Sequence, residues 1–166
     1  MMRPTLLALA LLSLGGCGLR PMYAGGSQGA VATTLRSVTV APIEGQAGWL
    51  VRNKLIDRLG KADGGATVYR LDVTLDDSIT AFGLRSDRAA TQERRTLRAR
   101  YQLVETRTGT VVLDATAGSD AGIDIVSSEY ATVAAEQTAL ENLTDIVADQ
   151  ITARLALYAS RTAKAK

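Results

Sequence analysis

Two groups of residues in this sequence could do chemistry: a single cysteine near the amino terminus and a cluster of arginines in the second half. Cys17 is the only cysteine among 166 residues. It follows a short apolar segment and the small residues Gly15 and Gly16. That arrangement is typical of a bacterial lipobox, in which the thiol takes a diacylglycerol and becomes the first residue after cleavage. We therefore predict lipidation at Cys17; the alternative is a secreted protein with a leftover thiol.

The arginine cluster offers planar cations that bind phosphate or carboxylate groups through two hydrogen bonds at once. Strand alternation predicts that Arg94, Arg98 and Arg100 share one outer face, and these three are our candidate contact residues for a ligand or partner. The alternative is a solvated strand face whose arginines pair with aspartates across the sheet. The sequence cluster and the predicted acidic partners are Arg85, Arg88, Arg94, Arg95, Arg98, Arg100 and Arg107, with Asp72, Asp76 and Asp114.

Composition excludes several classes of function. The chain contains no histidine, and lipidation would consume its one thiol, so neither an imidazole base nor a thiolate nucleophile is available. We predict no enzyme activity, no metal site and no cofactor. Removing Arg3 with the leader takes the net charge from +2 to +1, which gives no overall attraction for nucleic acid.

The residues before the globular part divide into a leader and a tether. Residues 1–16 have the charged start, apolar run and small-residue end of a signal peptide, and the run is too short for the roughly 20 residues that span a membrane. Residues 17–34 are rich in glycine and small residues and are predicted to form a flexible tether. The domain is predicted over residues 35–160, followed by a frayed basic tail at 161–166.

The elements that position the arginines follow from periodicity. We predict a first strand over residues 35–41, a helix from Trp49 to Gly60, with Trp49 at the core edge, and a helix after Ser127 or Ser128 that ends near residue 160. Strands are predicted over residues 67–80, 91–104 and 110–117, the last with Val111, Leu113, Ala115 and Ala117 inward. The predicted fold is α+β, with two helices packed on one face of a four-stranded, mainly antiparallel sheet. The place of the first strand, which could run parallel to a neighbour inside the sheet, stays open.

Three segments together resemble the LptE family of lipopolysaccharide-assembly lipoproteins, in its alphaproteobacterial form. Residues 17–23 read Cys-Gly-Leu-Arg-Pro-Met-Tyr, similar to the family's Cys-Gly-Phe-Arg-Pro-Leu-Tyr. Gly45-Gln46 followed by Arg52-Asn53 and Leu55 resembles the family's helix motif. The third segment comprises residues 99–103, Thr108-Gly109 and the Ser-x-Tyr-Ala that starts at Ser128.

The resemblance implies a function and a location. It implies a lipoprotein that plugs the outer-membrane β-barrel LptD in a one-to-one heterodimer, supports its assembly and helps deliver lipopolysaccharide to the outer leaflet. Arg94, Arg98 and Arg100 would then contact lipopolysaccharide phosphates or acidic residues of the lumen, and Arg52 and Asn53 would contact the partner. The alternative for Arg52 and Asn53 is a hydrogen bond or salt bridge at the end of their own helix. Gly18 after the lipidated cysteine fits sorting to the outer membrane, anchored on its periplasmic side. The alternative function is an auxiliary periplasmic binding module of another lipid-transport or cell-wall system.

Overall fold

The fold is described from a computed structural model, which describes residues 29–60, 67–84 and 90–164. Seven elements follow in chain order: α1 (Ala30–Arg36), β1 (Val38–Val40), α2 (Gly45–Leu59), β2 (Tyr69–Leu84), β3 (Ala90–Glu105), β4 (Val111–Asp124) and α3 (Glu129–Lys164). The fold class is the predicted α+β arrangement, with one helix more than predicted. No helix of these described ranges is long and apolar enough to cross a membrane.

The four strands form one sheet in the order β1-β2-β3-β4. Strand β1 pairs with β2 in parallel, with Thr39 opposite Arg70, and the other two pairings are antiparallel. Helix α2 is the crossover between the two parallel strands, which is how such strands must be connected. The place of the first strand, which the sequence left open, is therefore at the edge of the sheet, parallel to its neighbour β2.

The helices and one face of the sheet enclose a single apolar core. The alternation predicted for the two central strands is confirmed, because Leu71, Leu97 and Tyr101 are buried while Arg98 and Arg100 are exposed. Helix α3 contributes a stripe that is completely or almost completely buried; it consists of Leu140, Leu143, Val147, Ile151 and Leu155. Burial of such side chains contributes about 1.5–3 kcal/mol each. Among the described residues no helix covers the opposite face of the sheet.

Helix α1 corrects the prediction of a tether that reaches to residue 34. Val31 and Leu35, four residues apart, are buried in the core, and α1 packs against α3. Seven residues of this composition are too few to form a stable helix alone, so tertiary packing decides their structure. Residues 17–28 of the predicted tether lie outside the described residues, as does the predicted signal peptide.

Helix α2 begins four residues earlier than predicted, at Gly45. Gly48 explains why glycine is needed inside this helix, since a Cβ there would lie 2.7 Å from the backbone oxygen of Ile43. The first turn of α2 can therefore pack directly on the loop that leads into it. Gly60, at φ +78°, ends the helix as predicted.

Strand β4 carries a bulge that overturns one detail of the predicted pattern. Leu103 pairs with Leu113 but Val104 pairs with Val111, so Val112 is the extra residue. Val112 packs against the core, whereas Val111 is 46% exposed, and the prediction that Val111 points inward is wrong. The strand also continues to Asp124, beyond the predicted end at residue 117, with Ile123 buried.

Helix α3 begins with the predicted cap. The Ser128 hydroxyl accepts a hydrogen bond from the backbone N–H of Ala131 at 3.4 Å, and the Ser128 carbonyl accepts one from Thr132. The helix runs to Lys164, so residues 161–164 of the predicted frayed tail are helical. Tyr158 and Ala159 pack in the core one turn before this end, which holds the last turn in place.

Candidate functional site

The candidate site is the uncovered face of the sheet, and β3 provides its central column of arginines. Pairing places Arg94 between Thr80 and Gly122, and Arg98 between Asp76 and Gly118. Arg100 lies between Thr74 and Thr116. The three arginines predicted from strand alternation therefore share one face, because side chains two residues apart point to the same side of a strand.

Arg100 is the most firmly paired of the three. Its Nη2 donates to Asp114 Oδ2 at 3.0 Å, and its Nε donates to Asp114 Oδ1 at 3.4 Å. Gln102 donates to the same carboxylate at 2.8 Å. These bonds hold the pKa of Asp114 below its ordinary value, with Arg100 the larger cause and Gln102 the second. Asp114 thus neutralises Arg100 across the strand pair, as the solvated-face alternative predicts.

Arg94 is held more loosely and by a different contact. Its guanidinium carbon lies 5.3 Å from the centre of the Phe82 ring, a cation–π distance. The Asp120 carboxylate is 3.9 Å from Nε, at the outer limit of an ion pair. Arg94 therefore stacks on an exposed aromatic ring while most of its hydrogen-bonding capacity stays available to a ligand.

Arg98 has no ion pair or hydrogen bond with any described residue, although Asp76 is its neighbour on β2. Its side chain lies across Gly118, where a Cβ would be 2.7 Å from Arg98 Cδ. With Arg100 it lines a concavity of about 600 Å³ on the sheet face, which also includes Thr116 and Gln150. Arg98, the arginine of the described sheet face that has no anionic partner, thus lies in the concavity.

The face as a whole carries charges of both signs. The arginine-rich segment suggested a local excess of positive charge, but β2 and β4 contribute aspartates opposite and beside the arginines. Arg70, for instance, donates to Asp72 at 2.8 Å on the same strand. The charged side chains of this face in the described ranges are Arg70, Asp72, Asp76, Arg94, Arg98, Arg100, Asp114, Asp120 and Asp124.

The other arginines of the cluster do not join this face in the described residues. Arg95 lies on the helix side, where it forms a two-bonded pair with Asp77 and donates to the backbone oxygen of Glu136 at 3.0 Å. Arg107 is in the turn after β3, 3.8 Å from Glu105. Arg85 and Arg88 lie outside the described residues, as does the lipidation prediction at Cys17.

An acidic pair that was not predicted from the sequence lies beside Arg95. Glu93 faces the helix side of β3, where its Oε2 is buried without a hydrogen-bond partner in the described structure. Burial, and then repulsion from the Glu136 carboxylate on α3, raises the pKa of Glu93. Only the packing of α3 on the sheet brings these two residues together, since they are distant in sequence.

The predicted partner contacts on α2 are separate from the sheet face. Arg52 and Asn53 are half-buried, and the described residues offer neither side chain a hydrogen bond. Arg52 lines a groove of about 320 Å³ between α2 and β1, and its Nε is buried. Trp49 is 64% exposed on this helix, so the prediction that it packs at the core edge is wrong.

Helices α2 and α3 are joined by an ionic network that was not predicted from the sequence. Arg58 Nε donates to Asp149 at 2.6 Å and its Nη2 to Asp145 at 3.1 Å. Lys54 Nζ lies 2.5 Å from the other oxygen of Asp145. Lys54, and then Arg58, lower the pKa of Asp145. The four-residue spacing of Lys54 and Arg58 is the sequence signal that places both on one side of α2.

Comparisons with known proteins identify relatives of this fold. The model of the LptE family, described as lipopolysaccharide-assembly, matches residues 35–155. None of the curated proteins matches the chain. Among solved structures, a putative lipoprotein from Caulobacter crescentus CB15 is 25% identical, with a TM-score of 0.67, over 81% of this chain and 98% of that one.

Two further solved structures share the fold at lower identity. Rare lipoprotein B from Shewanella oneidensis is 11% identical, with a TM-score of 0.59, over 75% of this chain and 96% of that one. A minor lipoprotein from Acinetobacter baumannii is 16% identical, with a TM-score of 0.53, over 74% of this chain and 92% of that one. At these identities the likeness concerns the fold alone.

Proposed function

Because the chain belongs to the LptE family of lipopolysaccharide-assembly proteins, we propose that it is an outer-membrane lipoprotein that plugs the β-barrel LptD. It forms a one-to-one heterodimer with the barrel, supports the barrel's assembly and assists delivery of lipopolysaccharide to the outer leaflet. The role is that of an adaptor without enzymatic activity. Lipidation at Cys17 anchors the folded domain to the inner leaflet of the outer membrane.

The observation that supports this proposal is the uncovered polar face of the sheet. A protein inside a barrel meets a polar wall, so its own exterior must offer hydrogen-bonding groups over a compact core. The sheet face offers interleaved arginines and aspartates on three long strands, while the apolar side chains of the same strands are buried beneath the helices. Such a surface can pair with a polar wall without exposing the core.

Within that face, Arg98 is the residue best placed to bind a phosphate of lipopolysaccharide or a carboxylate of the lumen. A guanidinium gives a strong two-bonded contact only when no other anion already occupies it. Arg100 is occupied by Asp114, and Arg94 is partly engaged by Phe82 and Asp120. Arg98 has no such partner in the described structure and lines the concavity.

The test of the main proposal is co-purification. The full-length lipidated protein is purified from outer membranes in mild detergent, and the eluate is examined for a large β-barrel whose gel mobility changes on heating. We expect such a barrel in a one-to-one ratio. A lipoprotein that is folded and membrane-bound but carries no barrel would refute the proposal and favour an auxiliary periplasmic binding module.

The ligand contact is tested separately with purified lipopolysaccharide. Changing Arg94, Arg98 and Arg100 together to glutamate should weaken its binding. Arg98→Gln alone should give most of the loss, because among the described residues no carboxylate occupies the Arg98 guanidinium. The matched control changes arginines off the face by the same total charge; it consists of Arg107→Glu, Arg154→Glu and Arg161→Glu. Equal binding by the two triple variants would show that the sheet face has no part in ligand contact.

A further inference from the structure

Within the described residues, the outer edge of β1 presents backbone groups that have no hydrogen-bond partner. Tyr69 N–H donates to Ser37 and Ala41 N–H donates to Leu71, which shows that alternate residues of this segment direct their backbone toward β2. In a parallel ladder the residues between them, Val38 and Val40, direct their N–H and C=O groups the other way. No strand of the described sheet lies beyond β1, and no described side chain bonds those groups.

At the other edge of the sheet, a side chain bonds the backbone of the edge strand β4. On β4, the side-chain amide of Gln150 accepts a hydrogen bond from Gly118 N–H at 3.0 Å and donates to Gly118 C=O at 3.3 Å. At this one residue of β4, a side chain from α3 thus makes the hydrogen bonds that a neighbouring strand would make. Proteins commonly block exposed edges in such ways because an open edge invites pairing with another chain. The edge of β1 lacks this protection in the described structure.

Arg52 lies beside the outer edge of β1, and its Nε–H donates no hydrogen bond to any described residue. The groove between α2 and β1, about 320 Å³, is lined by Thr39, Arg52, Ile56 and Gly60 among others. The Nε of Arg52 is buried and unpaired, and no described carboxylate reaches its guanidinium. Buried N–H groups of native proteins nearly always have partners, so this one is available to an acceptor beyond the described residues. Lys54, two residues on, is already paired with Asp145.

We infer that this groove receives an extended segment of the partner polypeptide, which pairs with β1 as an additional strand and places an aspartate or glutamate on Arg52. The backbone groups of Val38 and Val40 supply strand-addition hydrogen bonds. The Arg52 guanidinium supplies the charged contact, and Ile56 supplies apolar surface for a neighbouring side chain. The inference rests on the proposed function, in that the segment belongs to the barrel.

The cation of Arg52 and the backbone groups at the edge of β1 together favour an extended acidic segment over other ligands. A lipid phosphate could pair with Arg52 but could not use the backbone donors and acceptors of β1. A purely apolar segment would leave the buried Nε of Arg52 without a hydrogen-bond partner, which is costly. An extended acidic segment satisfies both features at once.

The first experiment uses the full-length lipidated protein and the amount of barrel retained after washing. Arg52→Glu should lower that amount about ten-fold or more, because it places like charges together in the contact. Arg52→Lys, which keeps the charge but loses the planar fork, should give a smaller loss. Arg161→Glu makes the same charge change at an exposed site on α3 and should retain the barrel. Thermal unfolding of each variant reports whether it folds.

The second experiment does not depend on the stability of Arg52 variants. A photoreactive amino acid at Thr39, whose side chain is exposed beside the edge, should crosslink to a barrel segment at a residue adjacent to an acidic one. The two are adjacent because Thr39 lies on the face of the sheet opposite α2 and Arg52, and successive residues of an added strand point to opposite faces. Changing that acidic residue of the barrel to arginine should restore binding of the barrel to the Arg52→Glu variant.

The outcomes separate the inference from the function on which it rests. If the unchanged protein brings no barrel, the proposed function fails. If the barrel is retained equally by Arg52→Glu, the inference alone is overturned. A crosslink from Thr39 to residues 1–28 of this chain, or to a second copy, would also overturn it while leaving the function intact.

Discussion

Replacing Gly118 with alanine tests whether the sheet face is built around the position of Arg98. A Cβ at this residue would lie 2.7 Å from Arg98 Cδ, 2.9 Å from Arg98 Nη1 and 2.9 Å from the backbone oxygen of Leu97. Distances this short require atoms to move. The arginine can swing away at little cost because it is an exposed, flexible side chain, whereas the Leu97 oxygen belongs to the central strand.

The magnitude follows from these two contributions. Overpacking that displaces backbone costs about 1–3 kcal/mol, and replacing glycine by alanine recovers about 0.4–1 kcal/mol by restricting the unfolded chain. We expect Gly118→Ala to lower the free energy of unfolding by about 1–2 kcal/mol. In a protein of this size each kcal/mol lowers the midpoint of thermal unfolding by about 2–4 °C.

Gly122→Ala is the matched control on the same strand and the same face. A Cβ there would meet nothing within 4 Å, and Gly122 lies opposite Arg94 as Gly118 lies opposite Arg98. Without a clash the entropic contribution remains, so Gly122→Ala should be neutral or stabilising by up to about 1 kcal/mol. Urea unfolding followed by circular dichroism measures both variants.

A double-mutant cycle separates the two obstacles at Gly118. In an Arg98→Ala background the clash with the arginine is absent and the contact with the Leu97 oxygen remains, so Gly118→Ala should cost less there but should still destabilise. Equal stabilities of Gly118→Ala and Gly122→Ala would refute the reasoning, since the close approach at Gly118 would then have no energetic consequence.

Three further predictions concern titrating groups. Asp145→Asn should lower the free energy of unfolding by about 1 kcal/mol in dilute buffer and less in 1 M salt. Lys54 lowers the pKa of Asp145, so this stabilisation is present above the ordinary value of 3.8 and is lost as the pH falls through the lower folded value. A difference between the two proteins that does not shrink as the pH falls below 3.8 would contradict this expectation. Glu93→Gln should raise the free energy of unfolding at pH 7 by up to about 1 kcal/mol. Burial and Glu136 raise the pKa of Glu93, which means that the charged carboxylate is unfavourable in the folded protein. Chemical unfolding at pH 4 and pH 7 should therefore show the gain only at the higher pH. Burial raises the pKa of Tyr69 to about 12, so the folded protein favours the protonated hydroxyl of this side chain. The contribution of Tyr69 to the free energy of unfolding is therefore complete below pH 10 and is lost between pH 10 and about 12. Tyr69→Phe should reduce this loss in a series of unfolding measurements at alkaline pH.

Sequence periodicity was sufficient for the central part of the fold. Two-residue alternation in β2 and β3 predicted which side chains enter the core, and a stripe at helical spacing predicted α3. These patterns are reliable because the geometry of one strand or one helix, with a core on one side, fully determines them. The grouping of Arg94, Arg98 and Arg100 on one face followed from the same alternation.

Features that depend on two segments were missed or misjudged. Helix α1 looked like a tether because its composition is that of a linker, and only its docking on α3 makes it helical. Val111 was assigned to the core because the bulge at Val112 depends on how β3 and β4 pair. Trp49 was assigned to the core edge because a large aromatic residue is usually buried, yet α2 directs it outward.

The amino-acid sequence by itself determined the pattern of strands and helices, the shared face of the three arginines and the absence of histidine and of any second cysteine. The tertiary structure decided what those arginines can do. Cross-strand register pairs Arg100 with Asp114, and among the described residues it leaves Arg98 over Gly118 without an anion. In the same part of the chain, the position of α2 beside β1 leaves the Arg52 Nε without a partner near the edge of the sheet. The physical reason is that a side chain's direction is a local property of its own element. Its charge partner is supplied by another element, and register and packing alone determine which one.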